Sequence, residues 1–264
     1  MTQVFKTRAG TYVEIVNTGN FLLDGGSMFG RIPKVMWENW FPADEKNRII
    51  MATNILKIQV REKTYQVDAG LGSFYDEKEK VVLGIEENVP FCGSTDYLIL
   101  THLHFDHCGG ISDMDVREKV LVSKKEWADA INNNNPLTKG SYRKNDLDAI
   151  KPNLECIEPP YKIAPDIEIL STPGHTKGHV SVLIDREIFY AGDLIPTSSH
   201  VHLPCIMAYD LFPLEILEVK KRMLEMALEE DWIVIFEHDP YTPFARIDKV
   251  GDRFKARPAK ADKN

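Results

Sequence analysis

The chain has 264 residues, 43% of them hydrophobic and 27% charged, enough apolar sequence for a sizeable core and an ordinary balance for a globular protein. With 32 Lys and Arg against 40 Asp and Glu, the formal net charge is −8, which argues against nucleic acid or an anionic membrane surface as partner. Met1 to Gly10 lack the apolar run of a signal peptide and no stretch is long enough to span a bilayer, so a cytoplasmic location is expected. Cys92, Cys108, Cys156 and Cys205 are far apart and form no Cys-x-x-Cys pair, so they read as free thiols rather than a disulfide or zinc-ribbon framework.

No internal repeat or Pro/Gly-rich linker divides the chain, and a single domain over residues 1–264 is expected. Thr11 to Val16 reads as a strand. An irregular, aromatic-rich segment follows from about Asn20 to Pro42, with Gly25-Gly26-Ser27-Met28-Phe29-Gly30 and then Trp37, Trp40 and Phe41. Its glycines precede no Lys-Ser/Thr, which rules out a P-loop. Three readings of it stand side by side. It lines an apolar pocket, with Phe29 and Trp37 touching substrate. It forms the interface of a homodimer. Or it is plain core packing.

Ile49 to Val67 predicts a hairpin turning at Arg61-Glu62-Lys63, with β-branched residues on both sides. Tyr97 to Thr101 and Lys119 to Val122 are short strands, and Ser123 caps a helix running to about Ile131. The Asn132 to Pro136 run reads as a polar loop. Asp166 to Leu170, His179 to Asp185 and Ile188 to Ala191 are three further strands. Leu194 to Tyr209 is irregular. A helix from about Asp210 to Glu230 carries Leu214, Leu217, Leu224 and Leu228 on one face. Trp232 to Phe236 is an apolar strand, and the charged tail from Arg253 is expected to be loose. This mixture fits a layered α/β protein.

The strongest chemical signal is Thr101-His102-Leu103-His104-Phe105-Asp106-His107, four potential ligands packed directly after an apolar strand. Alternate side chains of extended backbone point the same way, so His102 and His104 can reach one metal together. Asp106 and His107 follow where the chain bends toward Gly109-Gly110 and can face a second. Groups packed this tightly would repel or titrate badly without a cation between them. Three single ligands lie downstream at strand ends: His175 in Pro173-Gly174-His175, Asp193 in Ala191-Gly192-Asp193, and His238 in Phe236-Glu237-His238. Gly174 and Gly192 leave room for close backbone approach.

The pattern His102-x-His104-x-Asp106-His107, followed by His175, Asp193 and His238 and preceded by Asp68 in Val67-Asp68-Ala69-Gly70, resembles the metallo-β-lactamase superfamily, and within it the broad branch of lactonases and related esterases. The resemblance spans roughly residues 49 to 240. It implies a four-layer αββα sandwich with the metal site at one edge between two sheets. It implies that His102, His104 and His175 bind one ion, that Asp106, His107 and His238 bind another, that Asp193 bridges them, and that Asp68 orients a ligand from behind. Nitrogen and oxygen ligands suit two divalent ions, zinc foremost, with iron and manganese compatible. In such a site two ions about 3.5–4 Å apart hold a bridging hydroxide that attacks a carbonyl or phosphoryl centre, and Asp106 both binds an ion and relays a proton.

The implied activity is hydrolysis of a lactone or ester of a small, partly apolar metabolite. A phosphoester or organophosphate substrate is the nearest alternative, and mono-iron persulfide dioxygenase-like chemistry a third. Quorum-quenching lactonases carry a tyrosine shortly after the bridging aspartate. Here Asp193 precedes Leu194-Ile195-Pro196, and the next tyrosine is Tyr209. His202 or Tyr209 is therefore expected to supply the contact to the substrate oxygen.

Overall fold

The computed structural model describes residues 3–85 and 93–261. Cys92 lies outside them; Cys108 and Cys205 are free and buried, and Cys156 is free and exposed. Two seven-stranded sheets stack face to face. The first runs in spatial and chain order through β1 (Gln3–Lys6), β2 (Tyr12–Asp24), β3 (Arg48–Val60), β4 (Lys63–Val67), β5 (Ser94–Ile99), β6 (Asp115–Ser123) and β7 (Leu154–Ile157). The second is built from β8 (Tyr161–Ala164), β9 (Ile167–Ser171), β10 (Val180–Ile184), β11 (Ile188–Tyr190), β12 (Ile233–Ile235), β13 (Phe244–Val250) and β14 (Arg253–Pro258), again in chain order. β4 to β7 run parallel, as do β11 and β12; the remaining pairs are antiparallel.

The alternation of side chains along each strand builds the layers. In β5, Ile99 faces the interior between the sheets and Leu98 the outer side; in β6, Leu121 and Val120 divide the same way. Across the sandwich Val13, Leu56, Ile58 and Val67 meet Ile169, Val180, Val182 and Ile188. Outside the first sheet, α5 (Lys124–Ile131) and α6 (Lys144–Ile150) cover Leu98, Leu100, Val120 and Val122 with Ala130, Leu147 and Ile150. Outside the second, α7 (Pro213–Glu229) packs on Phe189, Val234 and Phe236. The short helices α1 (Gly25–Phe29), α2 (Lys34–Trp37), α3 (Glu77–Leu83) and α4 (Phe105–Cys108) sit in the connections. The result is the αββα sandwich. No helix among the described residues is long and apolar enough to cross a membrane.

Several elements differ from their sequence reading. The aromatic segment opens as the end of β2, which pairs with β3 as far as Asp24↔Arg48, because Phe21 and Leu23 continue the alternation past a register shift between Asn17 and Asn20. The tail expected to be loose forms β14, paired with β13 from Val250↔Arg253 to Ala245↔Pro258. Its charged residues are exposed, whereas Phe254 is buried in the core cluster that α7 also joins. α7 starts at Pro213, not Asp210, and presents Ile216, Val219, Lys220, Met223, Leu224 and Ala227 inward. Leu214 is 76% exposed. The buried stripe is shifted round the helix from the leucine pattern and keeps only Leu224 of the four leucines fully buried.

Candidate metal centre

The site is assembled at the carboxyl ends of the strands, where side chains leave a sheet without a strand partner. Asp68 follows β4, the histidine motif follows β5, His175 follows β9, Asp193 follows β11 and His238 follows β12. His102 and His104 lie in extended chain on one side, their rings 4.5 Å apart. His104 then caps α4, a single turn that swings Asp106 and His107 the other way. A Cβ on Gly174 would lie 2.5 Å from Ile216, and one on Gly192 would lie 2.9 Å from His179; both glycines have positive φ, so neither loop accepts a side chain there.

All seven residues are buried and converge. His102, His104 and His175 form one group whose donor atoms lie within 4.8 Å of one another, and Asp106, His107 and His238 form a second. Asp193 faces both. Its Oδ2 is 3.1 Å from His175 Nε2 and 3.9 Å from His102 Nε2, and its Oδ1 is 3.1 Å from His238 Nε2 and 3.5 Å from His107 Nε2.

Several buried atoms at the centre have no hydrogen-bond partner: His102 Nε2, His104 Nε2 and Asp193 Oδ1. Orphaned buried polar atoms are costly, and their concentration at one point calls for a further group there. Burial, reinforced by His107 in the one case and His175 in the other, pushes His102 and His104 well below the ordinary histidine range, which leaves neutral, ligating imidazoles. Burial opposes ionisation of Asp193, but His175, His107 and His238 outweigh it and hold the carboxyl well below its usual value. The neutral imidazoles of His102 and His104, three further histidine nitrogens and an ionised carboxylate converge on one point, a donor set that fits two divalent cations.

Behind the ligands stands a set of orienting groups. Asp68 accepts from the backbone N–H and hydroxyl of Thr101, both at 2.8 Å, and its Oδ2 is hydrogen-bonded with His107 Nδ1 at 3.0 Å. Glu237 Oε2 lies 2.9 Å from the same nitrogen without hydrogen-bond geometry. Burial pushes this carboxyl up to about 8 despite the pull of His107. His175 Nδ1 pairs with Asp210 Oδ1 at 3.0 Å, and His238 Nδ1 with the Ala52 carbonyl at 2.8 Å. His179 accepts from the Asp193 backbone N–H at 3.1 Å while its Nδ1 lies 3.0 Å from the Thr172 carbonyl, fixing its tautomer. Asp210, Glu237 and His179 carry no site role in the sequence reading. Adjacency to His238 singles out Glu237, but nothing local distinguishes Asp210, 35 residues from its partner.

A cavity of about 370 Å³ opens over the centre. His104, Asp106, His175, Asp193 and His238 form its floor, and Leu23, Met28, Leu83, Phe105, Leu137, Met207 and Leu211 its apolar walls. Tyr209 lines it, as expected of a substrate contact. The other three expected contacts do not. Phe29 and Trp37 stack on each other at 5.5 Å, fully buried in an aromatic core with Phe41, because their side of the segment turns away from the cavity while Met28 turns toward it. His202 stacks on Trp40 at 5.7 Å and is not among the lining residues. The aromatic segment is therefore mainly core.

Two sheets between helical layers, with a His-x-His-x-Asp-His turn on one sheet and single His, Asp and His ligands on loops of the other, define the class of αββα metal-site proteins. The chain belongs to the Metallo-beta-lactamase superfamily, whose family model matches residues 93–238. An N-acyl homoserine lactonase of Bacillus sp is 32% identical over 149 residues, 54% of this chain and 55% of that protein, so the chain spans about half the length of the curated relatives it matches. A probable metal-dependent hydrolase from Staphylococcus aureus superposes with a TM-score of 0.85 at 26% identity, over 94% of this chain and 98% of that one. A dizinc quorum-quenching lactonase, solved with a product bound, shares the fold with a TM-score of 0.73 at 20% identity, over 99% of both chains.

Proposed function

We propose that this protein is a two-cation hydrolase that opens the ester ring of a small lactone bearing an apolar tail. The carrying observation is the Asp193 carboxylate, one oxygen toward each ligand group, at the floor of an apolar cavity. In this reading His102, His104 and His175 hold one ion, Asp106, His107 and His238 the other, and Asp193 both, with zinc the expected metal. The bound pair supplies an activated water oxygen at neutral pH and Lewis-acid polarisation of the scissile carbonyl.

The chain's own residues do the rest. The apolar walls hold the tail and exclude water from the floor. Asp106 reaches the floor from α4, with Oδ2 3.7 Å from His238 Nε2. Its carboxylate takes the proton of the attacking water and delivers it to the ring oxygen as the carbon–oxygen ester bond breaks, giving a hydroxy acid. Tyr209, which lines the cavity, is the residue assigned to orient the carbonyl. The N-acyl homoserine lactonases among the relatives support the lactone class.

The test is metal content of protein purified without added metal, followed by turnover on lactones of increasing acyl length, aryl esters and phosphotriesters. Two ions per chain and lactone turnover that improves with tail length support the reading. Phosphotriester turnover without lactone turnover, or a single iron with oxygen uptake, overturns it.

A further inference from the structure

Helix α5 carries one charged side chain that is wholly buried. Lys124, Lys125 and Asp129 are exposed, whereas Glu126 is 0% exposed. A carboxylate is removed from water only at a cost that hydrogen bonds must offset, and Glu126 accepts three. The Leu103 backbone N–H and the Tyr142 hydroxyl donate to Oε1 at 3.1 and 3.0 Å, and the Thr176 hydroxyl donates to Oε2 at 2.6 Å.

Each donor belongs to the first ligand group. Leu103 sits between His102 and His104. Thr176 follows His175. The Tyr142 ring packs edge-on against His104 at 5.1 Å. One side chain from outside the first sheet thus ties together two loops from different sheets, 50 residues apart between Glu126 and Thr176. The second group has other supports, Asp68 behind His107 and the Ala52 carbonyl behind His238.

We propose that Glu126 is a positioning residue that fixes His102, His104 and His175 relative to one another and so sets the affinity of the tri-histidine ion, touching neither ion nor substrate. This rests on the two-cation reading of the site. It predicts an asymmetry: loss of Glu126 loosens the tri-histidine ion more than the other, since all three of its donors adjoin that group, while His107 and His238 keep their contacts to Asp68 and the Ala52 carbonyl.

The experiment is cobalt(II) titration of the metal-free protein, read by visible absorption against a competing chelator, with far-ultraviolet circular dichroism to report folding. Wild-type protein takes up two equivalents; fewer than two overturns the two-cation reading itself, before any variant is made. Glu126→Ala is expected to weaken one ion by about 10- to 100-fold and leave the other within about twofold. Glu126→Gln keeps an oxygen for Leu103 and Tyr142 and recovers most of that loss. Thr176→Val removes one donor beside His175 and weakens the same ion by a smaller factor. Wild-type affinity for both ions in folded Glu126→Ala overturns the proposal, and so does an equal loss at both, which marks a merely structural role. If Glu126→Ala does not fold, Thr176→Val decides: unequal weakening supports the proposal and wild-type affinities overturn it.

Discussion

The floor of the cavity and the aromatic core behind its wall are built on opposite terms. On the floor, ionisable groups are crowded with orphaned atoms, and His238 Nε2 and His107 Nε2 stand only 3.2 Å apart. In that core, the N-terminal aromatic layer leaves little unsatisfied. Phe29, Trp37 and Phe41 interlock, and buried His200 hydrogen-bonds the Thr197 hydroxyl at 2.7 Å and the Met28 carbonyl at 2.9 Å. The floor breaks the ordinary rules of a folded interior where chemistry requires it, and the aromatic core obeys them. Changes to the floor should therefore cost metal and turnover, and changes to the aromatic core should cost stability.

The largest expected effect is on the floor. Asp193→Ala removes the group that faces both clusters, and is expected to lower metal content to well under one ion per chain and turnover by about 1000-fold or more, measured by elemental analysis and steady-state kinetics. Retention of both ions would sink the bridging assignment. In the aromatic core, Trp37→Ala is expected to cost about 3–5 kcal/mol of unfolding free energy, as for other large buried aromatics, with metal stoichiometry unchanged in the protein that remains folded. A denaturant titration together with metal analysis checks both halves.

Asp68→Ala probes the layer just behind the floor. Without the acceptor for His107, metal affinity of the Asp106–His107–His238 group should fall about 10- to 100-fold, readable by chelator competition. The smallest effect lies further out. Burial holds the Asp146 carboxyl on α6 up to about 6 against the pull of Arg143, and its Oδ2 has no hydrogen-bond partner. The folded state thus binds this proton more tightly than the unfolded chain, and the ionised form costs stability above pH 6. Asp146→Asn should raise stability by about 2 kcal/mol near pH 8. The gain should shrink between pH 6 and pH 4 and disappear below pH 4, where both states are protonated. A gain independent of pH would remove ionisation as its cause.

The local parts were legible in the sequence. The hairpin from Ile49 to Val67, the strand leading into His102 and the helix after Ser123 rest on periodicity that neighbouring residues determine, and the structure places them within a few residues, although the Ser123 side chain makes no capping hydrogen bond. The histidine motif was legible because its spacing alone brings four ligands together. His175, Asp193 and His238 were identified by resemblance to a family pattern, since a single residue at a strand end carries no signal of its own.

What only the tertiary structure decided is every pairing between distant segments. Neither the Asp210 contact to His175 nor the Glu126 link from Leu103 to Thr176 has a local signature, because each exists only once two loops are brought together by the sheets. The same holds for which side of an apolar segment faces a cavity. Met28 and Phe29 are adjacent and both apolar, yet one lines the pocket and the other fills the core. Hydrophobicity drives both out of water without direction. The strand ends and helices around them decide which surface each one meets.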